Sequence, residues 1–339
     1  MEKVIGIVGE GKMGASIFNY LIDFGFKLVW LVSLAADTVK MKKQLLRKIT
    51  RSYEAGIIEK EVYDILLQTV ISPDMESLSS CQLIIEAIPE SSELKKNLFS
   101  ELDPIVNPEC IFASNSSSFN PSLLSPHSSR REKFIGLHFF YPVPLKNIVE
   151  VITTPHSTLQ TEKEICLFLD KIKRKFLLLD EKNSFVLNRL YLDFQNEAFL
   201  IVQQGKITYK QMDQLVKENF FHFGVFDFCD SVGIDTMRIS VKNYTAGSPP
   251  LTYYQPFLEK LDELCLKGRL GIKTSAGFYD YPLSEEKIEI PAGAGEIIDH
   301  LRFTFHNAAK RFTALSHLPV GEMNDAIKEY FSLEKGPFE

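Results

Sequence analysis

Residues 4–14 read VIGIVGEGKMG. The apolar run Val4–Val8 has the length and content of a buried strand. Gly9-Glu10-Gly11-Lys12-Met13-Gly14 follows at once, and a helical pattern then continues through Phe24 to Gly25. A GxGxxG string alone is a weak signal, but between a strand and a helix it predicts dinucleotide binding. Gly9 permits the tight turn, Gly11 lets a pyrophosphate approach the backbone, and Gly14 lets helix and strand pack closely. The helix N-terminus adds unpaired N–H groups and the positive end of its dipole. A plain strand-to-helix turn is the bland alternative.

Working outward, Lys27–Val32 reads as a second strand and residues 36–55 as a long polar helix. Leu83–Ile88, Ile111–Ser114 and Phe134–Phe139 read as further short strands, separated by helical or loop segments. Alternating strand and helix predicts an open parallel α/β sheet of Rossmann type over residues 1–185. From Asn188 the pattern becomes helical, which places an all-α domain at 186–290. Residues 291–339 then repeat part of it. A shift of 111 residues pairs Leu190 with Leu301, Phe194 with Phe305, Asn196 with Asn307 and Met212 with Met323. The same shift pairs Lys217 with Lys328 and Phe220 with Phe331, and one added residue aligns Gly224-Val-Phe-Asp227 with Gly336-Pro-Phe-Glu339.

One element of the dinucleotide motif is missing. An Asp or Glu usually ends the second strand and binds the ribose hydroxyls. Here the strand ends Trp30-Leu31-Val32-Ser33, and the first acid is Asp37. Ser33 with Lys40, Lys42 or Lys43 could accept a 2′-phosphate, so NADP stays open beside NAD. Glu10, an acid inside the phosphate loop, opposes an anionic ligand.

Residues 136–152, GLHFFYPVPLKNIVEVI, carry the strongest catalytic signal. His138 lies in one apolar run and Glu150 in another, with Pro142 and Pro144 turning the chain between them. Histidine moves protons near neutral pH. A carboxylate can fix its tautomer and stabilise the imidazolium. A histidine beside aromatics is, taken alone, more often a satisfied core residue.

The 339 residues carry a net charge of −6, which argues against nucleic acid as the main partner. Cys81, Cys110, Cys166, Cys229 and Cys265 are widely spaced, form no CxxC, and so indicate neither a disulfide framework nor a zinc site. The seven histidines form no HExxH, so no metal is expected. The sequence shows no secretory signal and no apolar run of membrane-spanning length, and a cytoplasmic protein is expected.

The chain resembles the L-3-hydroxyacyl-CoA dehydrogenase family. The resemblance rests on GEGKMG (9–14), EAIPESSELKKNLF (86–99), FASNSSSF (112–119), GLHFFYPVPLKNIVEVI (136–152), SFVLNRL (184–190), FGVFDFCDSVGIDT (223–236) and GIKTSAGFYDY (271–281). These segments occur in family order, and the half repeat resembles the duplicated C-terminal domain of multifunctional fatty-acid oxidation proteins. The resemblance implies NAD(P)-dependent interconversion of a 3-hydroxyacyl and a 3-oxoacyl thioester. It makes His138 the general base and Glu150 its orienting carboxylate. Ser117 and Asn188 would contact the 3-oxygen and the thioester. Gly9, Gly11, Lys12, Met13, Gly14, Ser33, Ala87, Glu90, Lys95 and Ser117 would line the cofactor, and Lys48 would contact CoA. Plainer roles exist: Ser117 in an ordinary loop, Asn188 as a helix cap, Lys48 as a solvated lysine.

The chain departs from the family pattern at Tyr141, where HFFNP is usual, at Asn183-Ser184, where Pro-Gly is usual, and across 220–225. These departures keep two alternatives open, a carrier-protein thioester substrate and a non-catalytic protein on a decayed Rossmann fold. The half repeat leads to the expectation of a monomer with an internal pseudo-dimer, or else an altered homodimer.

Overall fold

The computed structural model describes residues 3–125, 129–246, 251–283 and 288–339. The chain divides into two compact units, Met1–Ser184 and Phe185–Glu339.

The first unit is an eight-stranded sheet: β1 (Val4–Val8), β2 (Lys27–Leu31), β3 (Val70–Ser72), β4 (Leu83–Glu86), β5 (Ile111–Ser114), β6 (Phe134–Phe139), β7 (Ile148–Thr153) and β8 (Lys175–Asp180). The spatial order is β3-β2-β1-β4-β5-β6-β7-β8. Helices cover both faces, so the central strands are buried almost throughout, as their near-continuous apolar runs require. On one face α1 (Lys12–Leu21), α2 (Thr38–Glu54), α3 (Lys60–Leu66) and the later α6 (Leu159–Lys171) bring Ile17, Phe18, Ile49, Leu66 and Phe168 against Ile5, Ile7 and Trp30. On the other, α4 (Ser92–Leu102) packs Leu98, Phe99 and Leu102 against Val29, Ile84 and Phe112, and α5 (Pro121–Leu124) adds Leu124.

The sheet is mostly parallel, and one pair at its edge runs the other way, where Pro142 and Pro144 turn the chain back. β6 and β7 are antiparallel, whereas β7 and β8 are parallel to each other. A parallel return needs a crossover of a dozen or more residues. Only residues 140–147 join β6 to β7, which permits a hairpin and nothing longer. β3 and β8 carry no clear sequence signal: β3 has three residues, and β8 alternates buried with exposed positions at the sheet edge.

The second unit is helical: α7 (Val186–Gln203), α8 (Tyr209–Asn219), α9 (Val225–Val232), α10 (Ile234–Thr245), α11 (Leu251–Leu266), α12 (Ala294–Ser316) and α13 (Val320–Phe331). α7 is buried on nearly every side, so its polar residues need partners. Asp193 receives Arg311 of α12 and Tyr254 of α11, and Glu197 accepts from Tyr253 at 2.7 Å and bonds His300 at 2.8 Å.

Several contacts occur at corresponding positions in the two segments. Phe194 and Phe220 meet edge to face at 5.1 Å between centroids, and their counterparts Phe305 and Phe331 do so at 5.4 Å. Asp213 Oδ1 accepts the amides of Val225 and Phe226, and its counterpart Asn324 Oδ1 accepts that of Phe338, while Pro337, in the place of Val225, has no N–H to give. The ion pair Lys217–Asp227 recurs as Lys328–Glu339. Phe305 and Phe331 pack on Phe194 and Phe221, so residues 291–339 share the core of the second unit. Among the described residues no helix is long and apolar enough to cross a membrane.

Candidate active site

The glycine loop lies between β1 and β4, where the strand order runs outward in both directions. Ligands of open α/β sheets bind at this switch point, beyond the carboxyl ends of the strands. Gly9 has φ +108°, and a Cβ there would fall 2.7 Å from the Ala87 carbonyl oxygen. A Cβ on Gly14 would fall 2.1 Å from the Gly9 oxygen. The fold itself therefore demands these two glycines. Gly11 differs: apart from its own chain neighbours, no atom of the described residues lies within 4 Å of where its Cβ would be. It is also the N-cap of α1 and has no side-chain cap, so the first-turn amides are not satisfied by a capping side chain. A clear space above uncapped helix amides fits a dinucleotide pyrophosphate. Trp30 holds the loop from β2 by donating to the Gly9 oxygen at 2.9 Å while its ring stacks on Phe18 at 4.2 Å. Lys12 is exposed on the first turn, and Met13 packs on the apolar core.

Glu10 does not point at that space. Its carboxylate accepts from the Ser33 amide at 3.1 Å and the Ser33 hydroxyl at 2.5 Å. Partial burial pushes this carboxyl up, but the two Ser33 bonds, together with its own backbone amide, hold it below the ordinary glutamate range.

Beyond β4 and β5 lies a buried charge network. Lys95 donates to Glu86 Oε1 at 2.6 Å and to the Ile88 carbonyl at 3.2 Å, and lies 3.4 Å from Glu90. Glu86 Oε2 accepts from Ser114 at 2.6 Å. Glu90 Oε1 in turn gathers the Ser116 and Ser118 hydroxyls at 2.7 and 2.9 Å and the Ser117 amide at 3.2 Å. One carboxylate thus shapes the serine loop. Ser116 and Ser118 are buried, and Ser117 is the partly exposed member of the three.

His138 and Glu150 stand directly opposite each other in the β6–β7 hairpin. His138 Nδ1 lies 2.8 Å from Glu150 Oε2, with the two residues 3% and 0% exposed. An ionised carboxylate only accepts, so Nδ1 carries the proton and Nε2 becomes the basic nitrogen. Phe140 packs on the imidazole at 4.4 Å. Two contacts place the hairpin: Asn115 Oδ1 accepts from the Phe139 amide at 2.9 Å, and Ser16 of α1 accepts from the Val143 amide at 3.0 Å. Tyr141 is 55% exposed.

In the second unit Asn188 lies in the first turn of α7, behind Phe185 at φ +55°. Its Nδ2 donates to Tyr244 at 3.0 Å and its Oδ1 accepts from Tyr330 of α13 at 2.8 Å. It is not the N-cap; that position is Phe185. Lys48 is exposed on α2 and reaches Asn19, donating to its backbone oxygen at 3.3 Å. Sequence reading missed Glu86, Ser114, Asn115, Tyr244 and Tyr330. Glu86 and Ser114 end strands that were recognised, and Asn115 follows the second of them; the tyrosines come from 56 and 142 residues downstream and leave no local pattern.

Residues 4–182 match the 3-hydroxyacyl-CoA dehydrogenase NAD binding domain, and residues 185–281 match the C-terminal domain of the same family. A 3-hydroxybutyryl-CoA dehydrogenase of Bradyrhizobium diazoefficiens is 31% identical over 286 residues, covering 82% of this chain and 95% of the relative. The human mitochondrial hydroxyacyl-coenzyme A dehydrogenase is 30% identical, covering 82% of this chain and 91% of the relative. The crystal structure of (S)-3-hydroxybutyryl-CoA dehydrogenase PaaH1 from Ralstonia eutropha superimposes with TM-score 0.72 at 26% identity, covering 84% of this chain and all (100%) of that one. The dehydrogenase part of a Caenorhabditis elegans multifunctional enzyme, at 23% identity and TM-score 0.54, shares the fold over 97% of this chain and 78% of that one. With both family domains matched in order, this chain belongs to the 3-hydroxyacyl-CoA dehydrogenase family.

Proposed function

We propose that the protein interconverts a 3-hydroxyacyl-CoA and the matching 3-oxoacyl-CoA, with His138 as the proton acceptor. The observation that carries this reading is the buried His138–Glu150 pair. A bound nicotinamide supplies the hydride acceptor. A secondary alcohol is a very weak acid, so its proton must leave together with the hydride, and a positioned base is required. His138 Nε2 takes that proton, and Glu150 balances the imidazolium charge. In the reverse direction the same imidazolium protonates the carbonyl oxygen. Ser117 and Asn188 are neutral hydrogen-bonding groups suited to an oxygen that alternates between alcohol and carbonyl. Glu90 fixes the loop of the first, and Tyr244 and Tyr330 fix the amide of the second.

NADH-dependent reduction of acetoacetyl-CoA by the full chain tests the reading. Turnover is expected on the CoA thioester, and turnover confined to an acyl-carrier-protein thioester would replace CoA as the carrier. Turnover on neither would overturn the proposal. We also propose that the chain is a monomer, because Phe305 and Phe331 cover aromatic surface of the first helical copy from within the same chain. Light scattering reporting a dimer would contradict this.

A further inference from the structure

We propose that Glu10 supplies, from the phosphate loop, the ribose-recognising carboxylate that the end of β2 lacks, and that it makes the site selective for NAD over NADP. The inference rests on the reading that the chain binds a nicotinamide dinucleotide. Two oddities of the sequence, an acid where phosphate binds and no acid where ribose binds, then have one explanation.

Residues 32–36 after β2 are Val, Ser, Leu, Ala and Ala, so no carboxylate comes from the strand end. The next acid, Asp37, is committed elsewhere: it caps α2 by accepting from the Lys40 amide at 2.9 Å. Glu10 reaches the vacant position from the other side. The loop and the strand end are joined directly, since the Gly9 amide donates to the Leu31 carbonyl at 2.9 Å. From there the Glu10 side chain spans to Ser33, which holds both carboxylate oxygens, one through its amide and one through its hydroxyl. This puts a fixed anion beside the phosphate loop at the carboxyl end of β2, where the adenosine ribose is recognised in this fold.

The chemistry of the carboxylate suits the task. Its two oxygens offer about four acceptor sites, of which Ser33 uses two. The remaining capacity matches the two hydroxyl donors of a ribose diol. A 2′-phosphate replaces one of these donors and carries negative charge, so it meets repulsion and loses the 2′-hydroxyl hydrogen bond, with only the 3′-hydroxyl left to donate. Anchoring by Ser33 also explains how the loop tolerates an acid: the charge is drawn off the α1 N-terminus, leaving the space above Gly11 to the pyrophosphate.

The test is equilibrium binding, read from nicotinamide fluorescence, of NADH and NADPH to the wild-type chain, Glu10→Gln and Ser33→Ala, with circular dichroism to establish that each variant is folded. The wild type is expected to bind NADH at least about tenfold more tightly than NADPH. Glu10→Gln, which keeps the shape and removes the charge, should shrink that ratio by about tenfold, mainly through tighter NADPH binding. Ser33→Ala removes the hydroxyl bond and leaves the amide one, so it loosens the carboxylate and should give an intermediate ratio. In the wild type, raising the salt concentration should narrow the ratio, since exposed like charges are screened. Equal wild-type affinities, or a ratio unchanged in Glu10→Gln, would overturn the assignment of Glu10 alone. Binding of neither dinucleotide by the wild type would overturn the dehydrogenase reading and this proposal with it.

Discussion

Glu86 and Glu150 are both fully buried carboxylates in the same sheet, but their partners differ in kind. Glu86 faces the Lys95 amine at 2.6 Å, with Ser114 and the Ile88 amide also donating to it. Glu150 faces His138, whose charge is conditional. The first arrangement is satisfied in one state and holds the ends of β4 and β5 to α4. The second has two states, and the proton that separates them is the one the proposed reaction moves. Burial alone therefore does not mark a catalytic carboxylate; the identity of its partner does.

Lys95→Met is the variant expected to have the largest effect on folding. It leaves Glu86 buried without its cation, a loss of about 3–5 kcal/mol, readable by urea denaturation. Adding Glu86→Gln should recover part of that loss, and no recovery would mean the pair is not coupled. Glu150→Gln should act on the other quantity. Gln can donate to Nδ1 and so select the wrong tautomer, and the imidazolium loses its counter-charge. Turnover should fall roughly 100-fold, about 2.7 kcal/mol on the barrier, with a smaller change in stability. A large stability loss with turnover intact would make Glu150 a second Glu86.

Asp213, a buried carboxylate of the helical unit, sharpens the comparison from a third side. It accepts from the Val225, Phe226 and Asp227 amides and the Tyr279 hydroxyl, all neutral donors. Burial, with the nearby Asp227 charge, pushes its carboxyl up from 3.8 to about 6. Between these values the folded chain holds more protons at this site than the unfolded chain. Stability from this group therefore falls as pH rises from about 4 to about 6 and is level above. Asp213→Asn, which copies the residue at the equivalent position 324, should remove that slope, a relative change of about 2 kcal/mol between the two pH values. Denaturation curves at pH 4, 5, 6 and 7 would measure it, and parallel pH profiles for the two chains would contradict it.

Much of the first unit was legible because its signals are local. A buried parallel strand is a short apolar run, and the glycine spacing names the turn that follows. β5 and β6 have the bounds their apolar runs predict, Ile111–Ser114 and Phe134–Phe139. The reversal at β7 follows from a connection too short to cross over, a fact of chain length that apolar patterning does not carry. The His138–Glu150 pair was legible because the two residues flank one turn. What stayed hidden was decided by side-chain geometry at long range. Glu10 had two destinations, the phosphate space or Ser33, and its identity does not choose between them. The tyrosines that hold Asn188 come from α10 and α13, and only the folded repeat brings α13 to α7.

The account turns on His138 as the proton acceptor, so its most direct test is His138→Ala, assayed for acetoacetyl-CoA reduction beside NADH binding. The account predicts NADH affinity within about threefold of wild type and turnover reduced by about 10³-fold, the scale of a lost general acid–base group. Full turnover in that variant, with the cofactor bound, would contradict it.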